Sequence, residues 1–400
     1  MIKELTMEKT SLPVGWEIKK IPEISEDYDR KRVPITKSKR IAGNIPYYGA
    51  SGIVDYVEGF LFDEDLLLVS EDGANLLARK YPIAFSISGK TWVNNHAHIL
   101  KFEDSVTQKF TELYLNSIKL DNFISGMAQP KLNKTKLNSI PIPIPPLPQQ
   151  KQIVATLEKA FAAIDTAKAN AEQNLQNAKE LFESYLQNVF STKGDDWEEK
   201  QIKDLTELVT KGSSPKWQGV NYVDEGGIFF LTSKNVGEGE LLLNNKKYLE
   251  EKFNKIQKTS ILKKGDVLTN IVGASIGRTA IFNLDEITNI NQAVCLMRCD
   301  SEKVYNYYLM YLLNSPFFKN ILHENEVDNA RANLSLTFFK NLAIPLPKLS
   351  EQKEIVENIK SFSTETKKLE AIYTQKIVDL EEMKKSVLQK AFSGQLNTIN

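Results

Sequence analysis

Three histidines and two cysteines are the scarce reactive side chains of this 400-residue chain. His96 and His98 stand two apart, His323 far away, and none has an evident serine or cysteine partner for nucleophilic catalysis. One Gly-x-Ser-x-Gly string occurs, Gly273-Ala274-Ser275-Ile276-Gly277, but no convincing helix follows it as a nucleophile elbow requires. Cys295-x-x-x-Cys299 lacks the second ligand pair that a structural zinc needs, so no metal is expected. Glu71-Asp72 could serve acid–base chemistry, but Gly73 follows, and Asp-Gly is first a turn signal. Gly273-Ala274-Ser275-Ile276-Gly277-Arg278 lacks the Lys-Ser/Thr of a phosphate loop and opens no convincing helix. There is also no Asn/Asp-Pro-Pro-aromatic motif of adenine methylation. The sequence therefore predicts no catalytic centre and no cofactor of its own.

Bulk properties describe a globular protein of at least two domains, with 42% hydrophobic and 26% charged residues. No apolar run approaches the roughly 20 residues of a membrane span. With two cysteines and no secretory pattern at Met1-Ile2-Lys3-Glu4-Leu5, a cytoplasmic protein is expected. Fifty-one basic residues balance fifty-one acidic ones, so composition alone does not point to nucleic acid.

The elements that would position any site are duplicated. Residues 142–191 match residues 344–393 at 16 of 50 positions without a gap. Ile142-Pro143-Ile144-Pro145-Pro146-Leu147-Pro148-Gln149-Gln150-Lys151-Gln152-Ile153-Val154 answers to Ile344-Pro345-Leu346-Pro347-Lys348-Leu349-Ser350-Glu351-Gln352-Lys353-Glu354-Ile355-Val356. Each copy reads as one long helix. The first carries Ile153, Leu157, Ala160, Ile164, Ala167, Ala171, Asn174, Ala178, Leu181 and Tyr185 at spacings of four and three. The second carries Ile355, Ile359, Phe362, Thr366, Leu369, Tyr373, Lys376, Leu380, Met383 and Val387. Such a period signals a coiled coil, and an exposed seam makes each helix the natural partner of its twin. Full antiparallel overlap would set Asn174 opposite Thr366. The proline runs read as stiff joints, Ser350 as a cap and Gly394 as a stop.

Two divergent regions precede the helices, each opened by a tryptophan phrase: Trp16-Glu17-Ile18-Lys19-Lys20-Ile21 and Trp197-Glu198-Glu199-Lys200-Gln201-Ile202. Short apolar stretches such as Leu66-Leu67-Leu68-Val69 and Gly227-Ile228-Phe229-Phe230-Leu231, followed by helical segments, predict α/β domains with mostly antiparallel sheets. The expected class is α+β: domain 1–147, helix 148–194, domain 195–347, helix 348–400, a cyclic duplication with pseudo-two-fold symmetry.

This layout resembles the specificity subunits of type I restriction–modification systems. Ile45-Pro46-Tyr47-Tyr48-Gly49-Ala50-Ser51-Gly52-Ile53 and Glu71-Asp72-Gly73-Ala74-Asn75 resemble one class of target-recognition domain. Leu231-Thr232-Ser233-Lys234-Asn235-Val236, Lys264-Gly265-Asp266-Val267-Leu268, Asn289-Ile290-Asn291-Gln292-Ala293-Val294 and Arg331-Ala332-Asn333-Leu334-Ser335 resemble another. The resemblance implies that each domain reads half of a split double-stranded DNA target and that the helices set the gap. It implies two modification subunits docked on the helices, with restriction and translocase subunits joining them. S-adenosylmethionine, ATP and magnesium would belong to those partners. The first dozen residues have no counterpart in the pattern.

Base edges ask for Asn or Gln at adenine and Arg or Lys at guanine, and phosphates accept from all of these. Turn-rich stretches single out Lys37, Lys39, Arg40, Asn75, Lys90, Asn94 and Asn95 in the first domain. In the second they single out Lys216, Lys234, Asn235, Arg278, Asn291, Gln292, Arg331 and Asn333. A single lysine is by default a solvated surface residue, and Asn291 and Asn333 could equally cap turns. A coiled-coil adaptor that never touches DNA is the rival the neutral charge favours, and an enzyme with an unfamiliar site is the second.

Overall fold

The computed structural model describes residues 12–126, 129–192, 194–224, 226–325 and 333–396. The chain forms two compact units, Met1–Ala171 with Gln375–Asn400, and Glu172–Thr374. Each contains one recognition region and parts of both long helices.

In the first unit, Glu26–Asp27, Ala97–Lys101, Leu66–Ser70 and Ala84–Ile87 form an antiparallel sheet in that spatial order. Leu66–Ser70 is buried along its whole length, which explains its unbroken apolar sequence. A second sheet orders Gly52–Val57, Ala42–Gly49, Lys90–Val93 and Phe62–Asp63, with Ala42–Gly49 parallel to Lys90–Val93. The second unit repeats the plan. Thr206–Lys211, Val294–Cys299, Val267–Asn270 and Thr279–Ile281 form the antiparallel sheet. Tyr222–Val223, Tyr248–Leu249, Ile228–Leu231 and Thr288–Ile290 form the other, with the last two parallel. The sheets are thus mostly antiparallel, with one parallel pair in each unit.

The two repeated phrases turn out to be partners. Glu17–Lys19 pairs antiparallel with Ile142–Ile144, and Glu198–Gln201 with Ala343–Leu346. The proline phrases are therefore strands of two-stranded ribbons. A proline fits there because a two-stranded ribbon leaves one edge of each strand unpaired.

The long helices run Leu147–Ser191 and Leu349–Phe392, 45 and 44 residues. Within the first unit Lys168 meets Glu381 at 2.7 Å and Asp165 meets Lys384 at 2.8 Å, so the helices pass antiparallel. Ile153, Val154 and Leu157 join Phe110, Tyr114 and Ala391 in the core there. Within the second unit Leu186 and Phe190 pack with Val356 and Ile359, and Tyr185 stacks on Phe362 at 4.3 Å. Gly394, at φ +70°, ends the second helix.

The seam departs from the predicted register in one respect. Leu369 and Met383 are exposed and Lys376 lies outward, whereas Glu370, Ile377 and Lys384 occupy the partly buried positions beside them. Lys384 can do so because its ammonium lies over the Phe161 ring, 4.9 Å from the centroid, and also reaches Asp165. Asn174 is exposed, and the buried Thr366 hydroxyl donates to Phe362 and Ser363 carbonyls of its own helix at 3.1 Å. The expected Asn174–Thr366 pair is not made. No helix among the described residues is long and apolar enough to cross a membrane.

Candidate nucleic-acid interface

Both units wire their loops together with the same backbone bonds. In the first, Asn94 N–H donates to Tyr48 O, Glu71 N–H to His96 O, and Leu132 N–H to Glu71 O. In the second, Asn291 N–H donates to Leu231 O, Ile271 N–H to Ala293 O, and Leu334 N–H to Ile271 O. The loop following each parallel pair therefore meets the loop following the central strand of the neighbouring sheet. Asn94 and Asn291 are equivalent, and their side chains act alike. Asn94 Oδ1 accepts from His96 N at 2.8 Å and Asn291 Oδ1 from Ala293 N at 3.1 Å, closing the same turn. Between them and the bonded residue sit Asn95 and Gln292, both exposed, with no side-chain partner among the described residues.

The first unit braces this junction with charge. Arg32 binds Glu71 at 2.8 Å, the Ala97 carbonyl at 2.8 Å and the Asp29 carbonyl at 2.9 Å. His98 meets Asp29 Oδ2 at 2.6 Å and the Leu132 carbonyl at 2.8 Å, and Lys131 meets Glu71 at 3.2 Å. Burial, the largest single influence, pushes the Asp29 and Glu71 carboxyls up, but the hydrogen bonds and charges of His98, Arg32 and their neighbours together outweigh it, leaving both below the usual range. Asp29, Glu71 and His98 lie close enough to hold a cation. Arg32 and Lys131 already neutralise the two carboxylates, and both imidazole nitrogens are engaged, so the cluster reads as a brace. Asp72 meets the exposed His96 at 2.9 Å, and Gly73 takes φ +111°, as the turn reading of this carboxylate pair requires.

Arg40, Asn94 and Asn95 line one pocket of about 240 Å³ with Pro34, Ile35, Thr36, Tyr47 and His96. Arg40 is partly committed, to Asp55 at 2.9 Å and over the Tyr47 ring at 4.4 Å. Lys37 and Lys39 lie on the exposed turn that leads into it. Lys90 is exposed above the Phe60 ring, and Asn75 spends its amide on both backbone groups of Tyr81. Sequence reasoning passed over Arg30 and Lys31, although residues 30–54 hold six basic side chains and no acidic one. That charge run was the available signal.

In the second unit the candidates fall on adjoining loops. Asn270 Nδ2 donates to Ser233 O at 2.8 Å and reaches Val236 O and Ser275 Oγ, joining the 233–236 and 271–278 loops. Val272 bridges to Asn333, and Gly212 packs against the Ile290 carbonyl so closely that no side chain fits. Lys234, Arg278, Gln292 and Asn333 are thereby exposed on connected loops, the arginine without a side-chain partner among the described residues. Asn235 is different. It is buried, accepting from Thr232 and donating to Leu242 O at 3.0 Å, so it staples its loop and has no edge left for a base. Lys216 is exposed on the Pro215–Gln218 turn beside Trp217, which is 78% exposed. Arg331 lies outside the described residues.

The remaining reactive groups are structural. Cys295 and Cys299 share the strand Val294–Cys299, about 13 Å apart at strand rise, and burial pushes both thiols up to about 12. Gly273–Ser275 is a single 3₁₀ turn, with no helix opening behind it.

The comparisons agree with this arrangement. The model of the type I restriction modification DNA specificity domain matches residues 13–177 and again 194–378. A Haemophilus influenzae protein described as a type I restriction enzyme specificity subunit is 30% identical over 358 residues, covering 88% of each chain. The MjaVIII specificity subunit of Methanocaldococcus jannaschii is 25% identical, covering 97% of this chain and 95% of its own. Two solved structures share the fold at 17% identity. One, from work on assembly and conformational transition of the type I R-M system, has a TM-score of 0.73 over 96% of this chain and 99% of its own. The other, the HsdS subunit from Thermoanaerobacter tengcongensis, has 0.61 over 98% and 100%. The chain belongs to the type I restriction–modification specificity subunits. Its role is DNA recognition.

Proposed function

We propose that each unit reads one half of a split DNA target, through the loops that its three shared backbone bonds hold together. The carrying observation is that identical wiring presents different side chains: Asn95, Arg40 and the basic 30–40 run in one unit, Gln292, Arg278 and Lys234 in the other. A constant frame with variable tips is what two readers of unlike sequences need. Asn95 and Gln292 suit adenine edges, because exposed amides without internal partners can offer a donor and an acceptor together. The exposed lysines suit phosphates, so that a neutral chain binds through locally basic loops.

The subunit itself performs no chemistry in this reading. The charged and sulfur groups that could react are spent on braces and core. Two modification subunits docked on the long helices would supply adenine methylation from S-adenosylmethionine, and restriction subunits would supply ATP-driven translocation and magnesium-dependent cleavage. Methylated-adenine sequencing of a host carrying this chain with its modification subunit tests the proposal. Two short motifs separated by a fixed unread gap are expected, and one continuous motif would refute it.

A further inference from the structure

We propose that Gln352 is a positioning residue that locks the second recognition domain onto its long helix and thereby limits the gap lengths the subunit accepts. The inference rests on the split-target reading above.

Gln352 is fully buried at the entry to the second long helix, and its amide is used on both sides. Its Oε1 accepts from Tyr305 N at 2.8 Å, and its Nε2 donates to Pro347 O at 2.9 Å and Lys303 O at 3.2 Å. Tyr305 precedes the domain helix Asn306–Asn314 and its side chain supplies no cap. The glutamine therefore serves that helix end from another element. Trp197 Nε1 donating to Glu351 at 2.8 Å and Tyr308 Oη donating to Pro345 O at 2.8 Å complete the joint.

The duplicated position in the first unit shows what the tie adds. Gln150 is also buried and donates to Pro145 O at 2.9 Å, but among the described residues its Oε1 has no partner, and neither has the buried Trp16 Nε1. The corresponding domain helix, Ser105–Ser117, is capped by its own Asp104, which accepts from Thr107 N at 2.7 Å. The same glutamine thus bonds only within its proline phrase in one unit and fastens the domain in the other. The lever is short. About 6° of rocking at the joint, carried over a domain about 30 Å across, moves the loop tips about 3 Å, close to one base-pair rise.

The test compares full-length subunits with their modification subunits by counting methylated adenines at sites whose halves lie at the native gap or one base pair off. Gln352→Met keeps the side chain's length and removes its hydrogen bonds. It is expected to cut the ratio of native-gap to off-gap methylation by about tenfold or more, the scale of one buried polar group left unpaired. Gln150→Met is expected to change that ratio much less. Tyr305→Asp supplies a side-chain acceptor for the amides of the first helical turn, so in the double variant with Gln352→Met it offsets part of the stability lost with the glutamine while the tie stays cut. Its expected result is the same loss of gap selectivity. If the double variant assembles, methylates and keeps the wild-type ratio, the inference is overturned while the split-target reading stands. A wild-type protein with no preference among gaps overturns both.

Discussion

Replacing Gln292 by alanine should weaken recognition of one half of the target and leave the fold unchanged. Gln292 is exposed on the loop after Thr288–Ile290, and no hydrogen bond among the described residues uses its amide. Its removal orphans no buried group, so the stability cost stays within about 0.5 kcal/mol. A bidentate amide–adenine pair contributes about 1–3 kcal/mol, or about 5- to 150-fold in affinity. Its neighbour is the internal contrast. Asn291 Oδ1 closes the turn onto Ala293 N, so Asn291→Ala should cost about 0.5–1.5 kcal/mol of stability before DNA is involved. The assay is fluorescence anisotropy of the assembled methyltransferase complex on its target duplex, between 50 and 200 mM salt, beside thermal melts. Loss confined to the intact target, with affinity for a duplex scrambled in that half unchanged and the salt slope retained, marks a base contact. Equal affinity of Gln292→Ala and wild type for both duplexes would refute the claim that this loop faces a groove.

Arg32→Met should cost about 3 kcal/mol in the first unit, because it leaves Glu71 and Asp29 with fewer partners in a partly buried brace. At that size Tm falls by about 6–12 °C, read by calorimetry. Both carboxyls sit below their ordinary values, so their stabilisation is present above about pH 4.5 and is lost as pH falls further. A melting profile that holds level or strengthens as pH falls from about 5 to 3 would contradict that sign. Cys295 and Cys299 should resist alkylation at pH 8 until the protein unfolds, since burial holds both thiols near 12, and mass spectrometry would read this directly. Inserting seven residues into both long helices should widen the gap by about 10 Å, roughly three base pairs, and an unchanged gap in sequenced methylomes would mean that something else sets spacing.

The duplicated helices were legible because a 3.5-residue period and a proline–glutamine entry survive at a constant offset of 202 residues. Their contact face was legible only in part. Lys384 and Glu370 sit in the seam as long polar side chains, which a count of apolar positions does not register. The pairing of the tryptophan phrase with the proline phrase was hidden because the partners lie more than 120 residues apart. The recognition loops were harder still. All four of Asn94, Asn95, Asn291 and Gln292 looked alike as candidates, yet Asn94 and Asn291 spend their Oδ1 on closing a turn, while Asn95 and Gln292 have no side-chain partner among the described residues. Residue type alone cannot separate an asparagine that closes a turn from one beside it that points outward. Asn235 shows the same limit, since its donors and acceptors are consumed by its own loop.

The independence of the two readers is tested most directly by exchanging one of them. Residues 1–147 would be replaced by the matching segment of the Haemophilus influenzae relative, and the methylome of cells carrying the hybrid with its modification subunit would be sequenced. The expected motif keeps the half read by residues 195–347 and changes the other. A hybrid that assembles and methylates yet alters both halves, or neither, would contradict the account.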